Sequence, residues 1–234
     1  MLTAAISPAV LPEWAAHVSV FVDLAGSESL ADLFSGMVLP DSLSGAVRTR
    51  QIEFLAGRLC AQRALAQLDS EGRGAPVLTL PSGAPGFPTG LVGSITHAGG
   101  FVSAALARTT VAESIGIDSE VIASTRRASR VMRRVATARE LDAAAHEVDS
   151  DRALAVTLLF SAKESLFKCL YPSVGRVFDY LDAHVELAAE GTSGLFRAVV
   201  RESLSERVRL GALFHGRFEI RDGYVHTGLS MGPQ

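Results

Sequence analysis

Two carboxylates one residue apart, Asp118 and Glu120 in "GIDSE" (116–120), have a spacing that suits chemistry. Side chains alternate between the faces of an extended segment, so these two share a face and repel each other. A positive group belongs between them. Further along, Glu164 and Lys168 stand four apart in "FSAKESLFKCLYP" (160–172), which makes them neighbours on one helix face. Read alone, they are a surface ion pair worth about 0.2–0.5 kcal/mol. Read with Asp118 and Glu120, they complete three hard oxygen donors and a cation. Mg²⁺ favours octahedral oxygen coordination and shares it with substrate phosphates. The competing reading pairs Asp118 and Glu120 with Arg126, Arg127 or Arg130, nearby in the chain.

Other residues extend the pattern. His97 closes "GSITH" (93–97) ahead of "AGG", where turn amides and an imidazole can receive a phosphate. A hydrogen-bonded structural histidine is the alternative. Arg50 and Arg58 fall among the apolar positions of a helical stretch, 44–68. Metal-binding acids, a lysine, a histidine and two arginines together point to a polyphosphate substrate.

The elements that must position these residues are legible from periodicity. Strands are expected at 17–24, where Val18, Val20 and Val22 alternate with other residues, and at 91–97, 101–107 and 113–120, the last three as an antiparallel meander. The stretch 69–90 is crowded with Gly and Pro and reads as mostly loop around a short strand. A helical region follows within 121–150. A second helix is expected over 151–171, capped by Asp149 or Ser150. Further strands are expected at 184–188, 195–200, 217–223 and 224–230, with "RDGY" (221–224) as a hairpin turn. Each half thus offers one prominent helix and several strands, an α+β pattern with a suggestion of duplication.

Composition sets the bounds. The 234 residues are 48% apolar and 20% charged, with a net charge of −3. That is enough chain for a large core or two smaller ones, and its mild acidity gives no general attraction to nucleic acid or anionic membrane. Cys60 and Cys169 are far apart and read as buried thiols. "MLTAAISPAVLPEW" lacks a basic leader and soon meets Pro8 and Pro12, and no apolar run has the length of a membrane span. A cytoplasmic protein is expected.

At these residues the chain resembles a known family. "VGSITHAGGFVSAALA" (92–107), "SIGIDSE" (114–120) and "FSAKESLFKCLYP" occur in this order at suitable spacing. Together they are similar to the 4′-phosphopantetheinyl transferases of the long, monomeric type, which includes the surfactin and enterobactin synthetase activators. "RTRQIEFLAGRLCAQRAL" (48–65) followed by "GFPTGLVGSITH" (86–97) resembles the enterobactin-activator branch in particular. The resemblance covers roughly residues 48–172.

It implies a pseudo-twofold α+β fold of two similar subdomains, 1–117 with the coenzyme A nucleotide contacts and 118–234 with the metal ligands and catalytic helix. Coenzyme A and Mg²⁺, or Mn²⁺ in its place, would lie in the cleft between the halves. Asp118, Glu120 and Glu164 would bind the metal. Lys168 would contact the diphosphate, and His97, with Thr96 beside it, a coenzyme A phosphate. Arg50 and Arg58 would receive the nucleotide end. A serine of an acyl or peptidyl carrier protein would attack the β-phosphate and 3′,5′-adenosine bisphosphate would leave, with Glu164 or a metal-bound water taking the serine proton. Phe87 stands where the family has tryptophan, and Gly83 and Ala84 precede Pro85 without the usual basic residue. Ser119 replaces an aliphatic residue and would face away from the acids.

Arg126, Arg127, Arg130, Arg133 and Arg134 recur at helical intervals as a basic stripe, either a solvated face or a surface for an acidic carrier. Two other functions compete with transfer. A metal-dependent nuclease is disfavoured by the absence of basic excess. A coenzyme A or carrier-binding module without turnover is disfavoured by the intact acids and Lys168.

Overall fold

The computed structural model describes residues 1–68, 77–81 and 83–233. Two compact units emerge: residues 1–7 with 13–111, and residues 8–12 with the chain from Ala112 onward. The first contains β1 (Leu2–Ala5), β2 (Ala16–Val22), the short α1 (Leu30–Leu33) and the long α2 (Arg48–Leu68). After these come a two-residue ladder of β3 (Leu78–Thr79) with β4 (Pro85–Gly86), then β5 (Leu91–Ala98) and β6 (Phe101–Arg108). Its main sheet has the order β1-β2-β6-β5, antiparallel throughout. Apolar residues recur every three or four positions in α2: Ile52, Leu55, Ala56, Cys60, Ala64 and Leu65. This stripe packs on Val20, Val22, Val102, Ala104 and Leu106. Of the loop expected over 69–90, residues 69–76 and 82 lie outside the described residues.

The second unit runs β7 (Ser114–Val121), α3 (Thr125–Val135), α4 (Ala138–Glu147), α5 (Arg152–Val174), β8 (Ala183–Glu190), β9 (Ser193–Val200), β10 (Leu213–Arg221) and β11 (Tyr224–Met231). Its sheet, also antiparallel, is ordered β7-β11-β10-β9-β8. The segment 8–12 belongs to it, since Ala9 N–H donates to Glu219 at 2.8 Å and Val10 is buried. Leu158, Leu159, Leu166 and Phe196 are among its buried core; each such side chain contributes about 1.5–3 kcal/mol. The two units share a wiring: the strand before the long helix pairs with the unit's last strand, β2 with β6 and β7 with β11. This is the α+β architecture of two similar, mostly antiparallel subdomains.

Four details differ from expectation. β7 does not continue a meander with β5 and β6; it pairs with β11 over eight residues. Both its faces are buried, so it needs a full-length partner as well as a covering helix. A subdomain boundary between 117 and 118 would therefore cut β7, and the chain changes unit between Val111 and Ala112. The helical region 121–150 is two helices, because Thr137 starts α4 with a reciprocal capping box to Glu140. Asp149 and Ser150 do not cap α5. Both adopt positive φ, and Asp151 caps it instead by accepting from the N–H groups of Ala153 and Leu154. The "RDGY" turn forms as expected, with Asp222 and Gly223 both at positive φ. Both cysteines are free and buried. Among the described residues no helix is long and apolar enough to cross a membrane.

Candidate active site

The face of β7 that carries Asp118 and Glu120 is the one α5 covers. Gly116 shares that face, and a Cβ there would sit 1.8 Å from the Ser165 carbonyl oxygen and 2.8 Å from the Cys169 amide nitrogen. Only a missing side chain lets the helix lie on the strand's backbone. Ser114, on the same face, meets the Cys169 thiol at 3.2 Å. Thr227, opposite Asp118 in the ladder, donates to the Ser161 carbonyl at 2.9 Å. Close contact brings Lys168 within reach of the strand: its ammonium donates to the Ile117 carbonyl at 3.2 Å and to Asp118 Oδ1 at 2.7 Å. Ser119 points the other way, bonded to buried His226 at 2.9 Å.

Glu164, one turn before Lys168, accepts a hydrogen bond from the Tyr180 hydroxyl. Tyr180 opens a short 3₁₀ turn (Tyr180–Asp182), and its ring leans on Phe160 with centroids 5.4 Å apart. Burial, and then the bond to Glu164, pushes its phenol up from the ordinary tyrosine range. The Glu120 carboxyl is pushed up to about 7, first by burial and then by the Asp118 charge; Glu164 adds to this, while Arg127 and Lys168 oppose it. The Asp118 charge thus acts on Glu120 in the sense the spacing suggests, second to burial, and Lys168 is the positive group set against Asp118. Beside Glu164 opens a pocket of about 600 Å³, lined also by Arg133, Arg134, Phe167, Phe178 and Tyr180.

Among the described residues no three His, Cys, Asp or Glu side chains form a ready-made ligand cluster. Asp118 is turned to Lys168 and Glu164 to Tyr180. In donor chemistry the three acids nevertheless fit a hard divalent cation, which oxygen ligands suit and whose charge would relieve the strain on Glu120. Of the competing arginines, Arg127 acts on the Glu120 carboxyl as a nearby charge, whereas the cation bonded to Asp118 is Lys168.

The first unit gathers the phosphate-type residues unevenly. Arg50 Nη1 and His97 Nε2 are 2.7 Å apart. Since a guanidinium can only donate, Nε2 accepts and the ring proton belongs on Nδ1, which faces Glu53 at 3.4 Å. Glu53 is partly buried, which pushes its carboxyl up against the opposing pull of Arg50. Thr96 is buried in β5, opposite Ser103. Arg58, expected to receive a phosphate, is buried instead. It lies over the Phe54 ring at 4.6 Å and donates to the Leu78 carbonyl at 3.2 Å and the Thr79 hydroxyl at 3.0 Å.

Tyr180 and Glu53 escaped the sequence reading. Tyr180 lies in a turn without periodicity, so nothing in its neighbourhood marks it. Glu53 had a usable signal, because it stands three residues from Arg50, a spacing that makes the two neighbours on one helix face, and its charge opposes that cation.

Family models match most of the chain. The 4′-phosphopantetheinyl transferase N-terminal domain matches residues 39–107, and the 4′-phosphopantetheinyl transferase superfamily matches residues 114–225. The chain belongs to the 4′-phosphopantetheinyl transferase superfamily. It is 36% identical over 229 residues to the 4′-phosphopantetheinyl transferase Svp of Streptomyces mobaraensis, covering 95% of this chain and 88% of that protein. It is 31% identical over 227 residues to the 4′-phosphopantetheinyl transferase PptT of Mycobacterium tuberculosis, covering 91% and 94%. To the 4′-phosphopantetheinyl transferase Npt of Nocardia iowensis it is 31% identical over 202 residues, covering 80% and 85%.

Proposed function

We propose that the protein transfers the 4′-phosphopantetheine of coenzyme A to a serine hydroxyl of an acyl or peptidyl carrier protein, with release of 3′,5′-adenosine bisphosphate. The observation that carries this reading is the crossing of α5 over β7, where Lys168 holds Asp118 at 2.7 Å beside Glu120 and Glu164. Family membership along most of the chain supports it.

Asp118, Glu120 and Glu164 would hold Mg²⁺, and a bound divalent cation would neutralise the diphosphate and the departing phosphate. Phosphoryl transfer asks for positioning and charge neutralisation more than for covalent work. The Lys168 ammonium, partly exposed, is suited to the diphosphate oxygens, and the Asp118 bond fixes its direction. Glu164 already accepts one hydroxyl proton donor, Tyr180, and is the group suited to receive the proton of the attacking serine. In the first unit Arg50 and His97 would bind a coenzyme A phosphate, with Thr96 below them. Arg58 would shape that region through Leu78 and Thr79.

The test is an apo acyl carrier protein incubated with coenzyme A, Mg²⁺ and the enzyme. Its mass should increase by one phosphopantetheine, and a chelator should stop the increase. Asp118→Asn and Glu164→Gln should each slow transfer by at least about 10²-fold, the scale of losing one charge-stabilising group. Transfer at the wild-type rate in both variants, or in chelator, would refute the metal assignment.

A further inference from the structure

We infer that Glu53 is a positioning residue for phosphate binding: it holds the His97 imidazole by Nδ1, so that Nε2 can take up a proton and donate it in a hydrogen bond to a phosphate of coenzyme A. The inference rests on the reading of Arg50 and His97 as a phosphate site and adds the group that stands behind them.

The three residues meet because α2 lies close on β5. Gly57 leaves room for Ile95, since a Cβ there would come within 2.8 Å of the Ile95 Cγ2. His97 follows Ile95 by two residues and shares its strand face. Arg50 and Glu53 precede Gly57 by about two turns and one turn of α2, which brings both over the ring. Arg50 Nη1 stands 2.7 Å from Nε2 and Glu53 Oε2 3.4 Å from Nδ1, so the imidazole lies between a guanidinium and a carboxylate. The Glu53 side chain is 14% exposed and that of His97 34%, which leaves the ring the more open of the two. β6, packed on the other edge of β5, places Val102 opposite His97, and its ionisable residue Arg108 lies at the far end of the ladder, opposite Leu91.

A carboxylate is out of place beside an anion site unless it acts on something else there. It repels an incoming phosphate, and burial penalises its charged form. Support of α2 does not call for it, because pairing with Arg50 three residues away contributes about 0.2–0.5 kcal/mol and works as well in solvent. Its use lies in the ring. With Nε2 accepting from Arg50, the imidazole has no N–H to offer on that side. A phosphate oxygen that draws the Arg50 N–H to itself then meets the Nε2 lone pair and is repelled. The conflict ends when Nε2 takes a proton from solvent. Nε2–H donates to the phosphate, Nδ1–H stays against Glu53, and the imidazolium lies between two anions.

The experiment measures binding of 3′,5′-adenosine bisphosphate by calorimetry at pH 8, in two buffers of different ionisation enthalpy, so that proton uptake is read together with affinity. At that pH a phosphate monoester has lost its second proton and an ordinary imidazole is neutral. The wild type should take up a proton on binding. Glu53→Gln keeps an oxygen that can accept from Nδ1–H but carries no charge; it should bind about tenfold more weakly and with less uptake, the scale on which an adjacent opposite charge shifts a titration. At pH 6, where an ordinary imidazole is already largely protonated, the gap should narrow. In transfer assays the KM for coenzyme A should rise by a similar factor, while kcat and the KM for the apo carrier hold. In a His97→Ala background the sign should reverse: Glu53→Gln should tighten binding, because only the repulsion is then removed. Unchanged or tighter binding by Glu53→Gln with His97 present, a wild type that takes up no proton, or equal weakening with His97 removed would each overturn the inference and leave the transfer reaction standing. A wild-type chain that modifies no carrier would remove the proposed function, and the calorimetric signs would still judge Glu53.

Discussion

Two lysines five residues apart on α5 each face a carboxylate, and they do opposite work. Lys163 meets Glu140 at 2.8 Å with side chains 2% and 1% exposed, and also donates to the Val135 carbonyl at 2.8 Å. Glu140 accepts in addition from the Val185 amide at 2.7 Å and closes the capping box of α4. This pair ties α5 to the end of α3, the start of α4 and β8. Burial pulls the Lys163 ammonium below the ordinary lysine range, with Glu140 opposing. Lys168 meets Asp118 at 2.7 Å, but its side chain is 27% exposed. The difference lies in solvent access. An ion pair sealed in the interior can only hold structure, while one open to solvent can also receive a ligand's charge.

The sharpest way to break the comparison is Lys163→Met. It strands Glu140 as a buried charge without its cation, and removing one partner of such a pair costs about 3–5 kcal/mol. Urea unfolding should show that loss. Adding Glu140→Gln should recover part of it, because the amide oxygen can still accept from Val185 and no charge remains buried. A single variant as stable as wild type would mean that Lys163 is not structural.

Next in size is Gly116→Ala, which attacks the open pair through the backbone. The new methyl would meet the Ser165 carbonyl at 1.8 Å, so α5 must shift away from β7. Overpacking of this kind costs about 1–3 kcal/mol. The same shift pulls Lys168 from Asp118, so phosphopantetheine transfer should fall together with stability. A variant that loses stability while keeping full transfer would disconnect the close approach from the site.

How far the sequence carries is visible in these same residues. The alternation in "SIGIDSE" and the four-residue step from Glu164 to Lys168 are local, and both survive unchanged in β7 and α5. Their meeting depends on Gly116, which reads as an ordinary small residue until the helix is laid on it. The Lys163–Glu140 pair spans 23 positions, too far apart for any helical or strand spacing to reveal it; only the packing of α4 and β8 around α5 buries it. Arg58 misled for the same reason: a guanidinium in an apolar stripe reads as a waiting cation, yet Phe54, Leu78 and Thr79 occupy it. The partner of β7 was illegible because strand pairing is non-local, and β11 begins over a hundred residues later.

Lys168→Met should cost less stability than Lys163→Met. Its ammonium side is 27% exposed although Asp118 is 5% exposed, so the loss should exceed the ~1 kcal/mol of a fully exposed pair and stay below that of a pair sealed on both sides. Urea unfolding should place the variant between wild type and Lys163→Met. Transfer should nevertheless fall by at least about 10²-fold, since a charge-stabilising group beside the diphosphate is gone. Lys163→Met and Lys168→Met then separate along two axes, one losing mainly stability and the other mainly rate. If Lys168→Met unfolded as readily as Lys163→Met, solvent access would not be what divides the two pairs. If it folded well and transferred phosphopantetheine at the wild-type rate, the ammonium would have no part in the chemistry, and the cation facing the diphosphate would have to be sought elsewhere along α5 and α3.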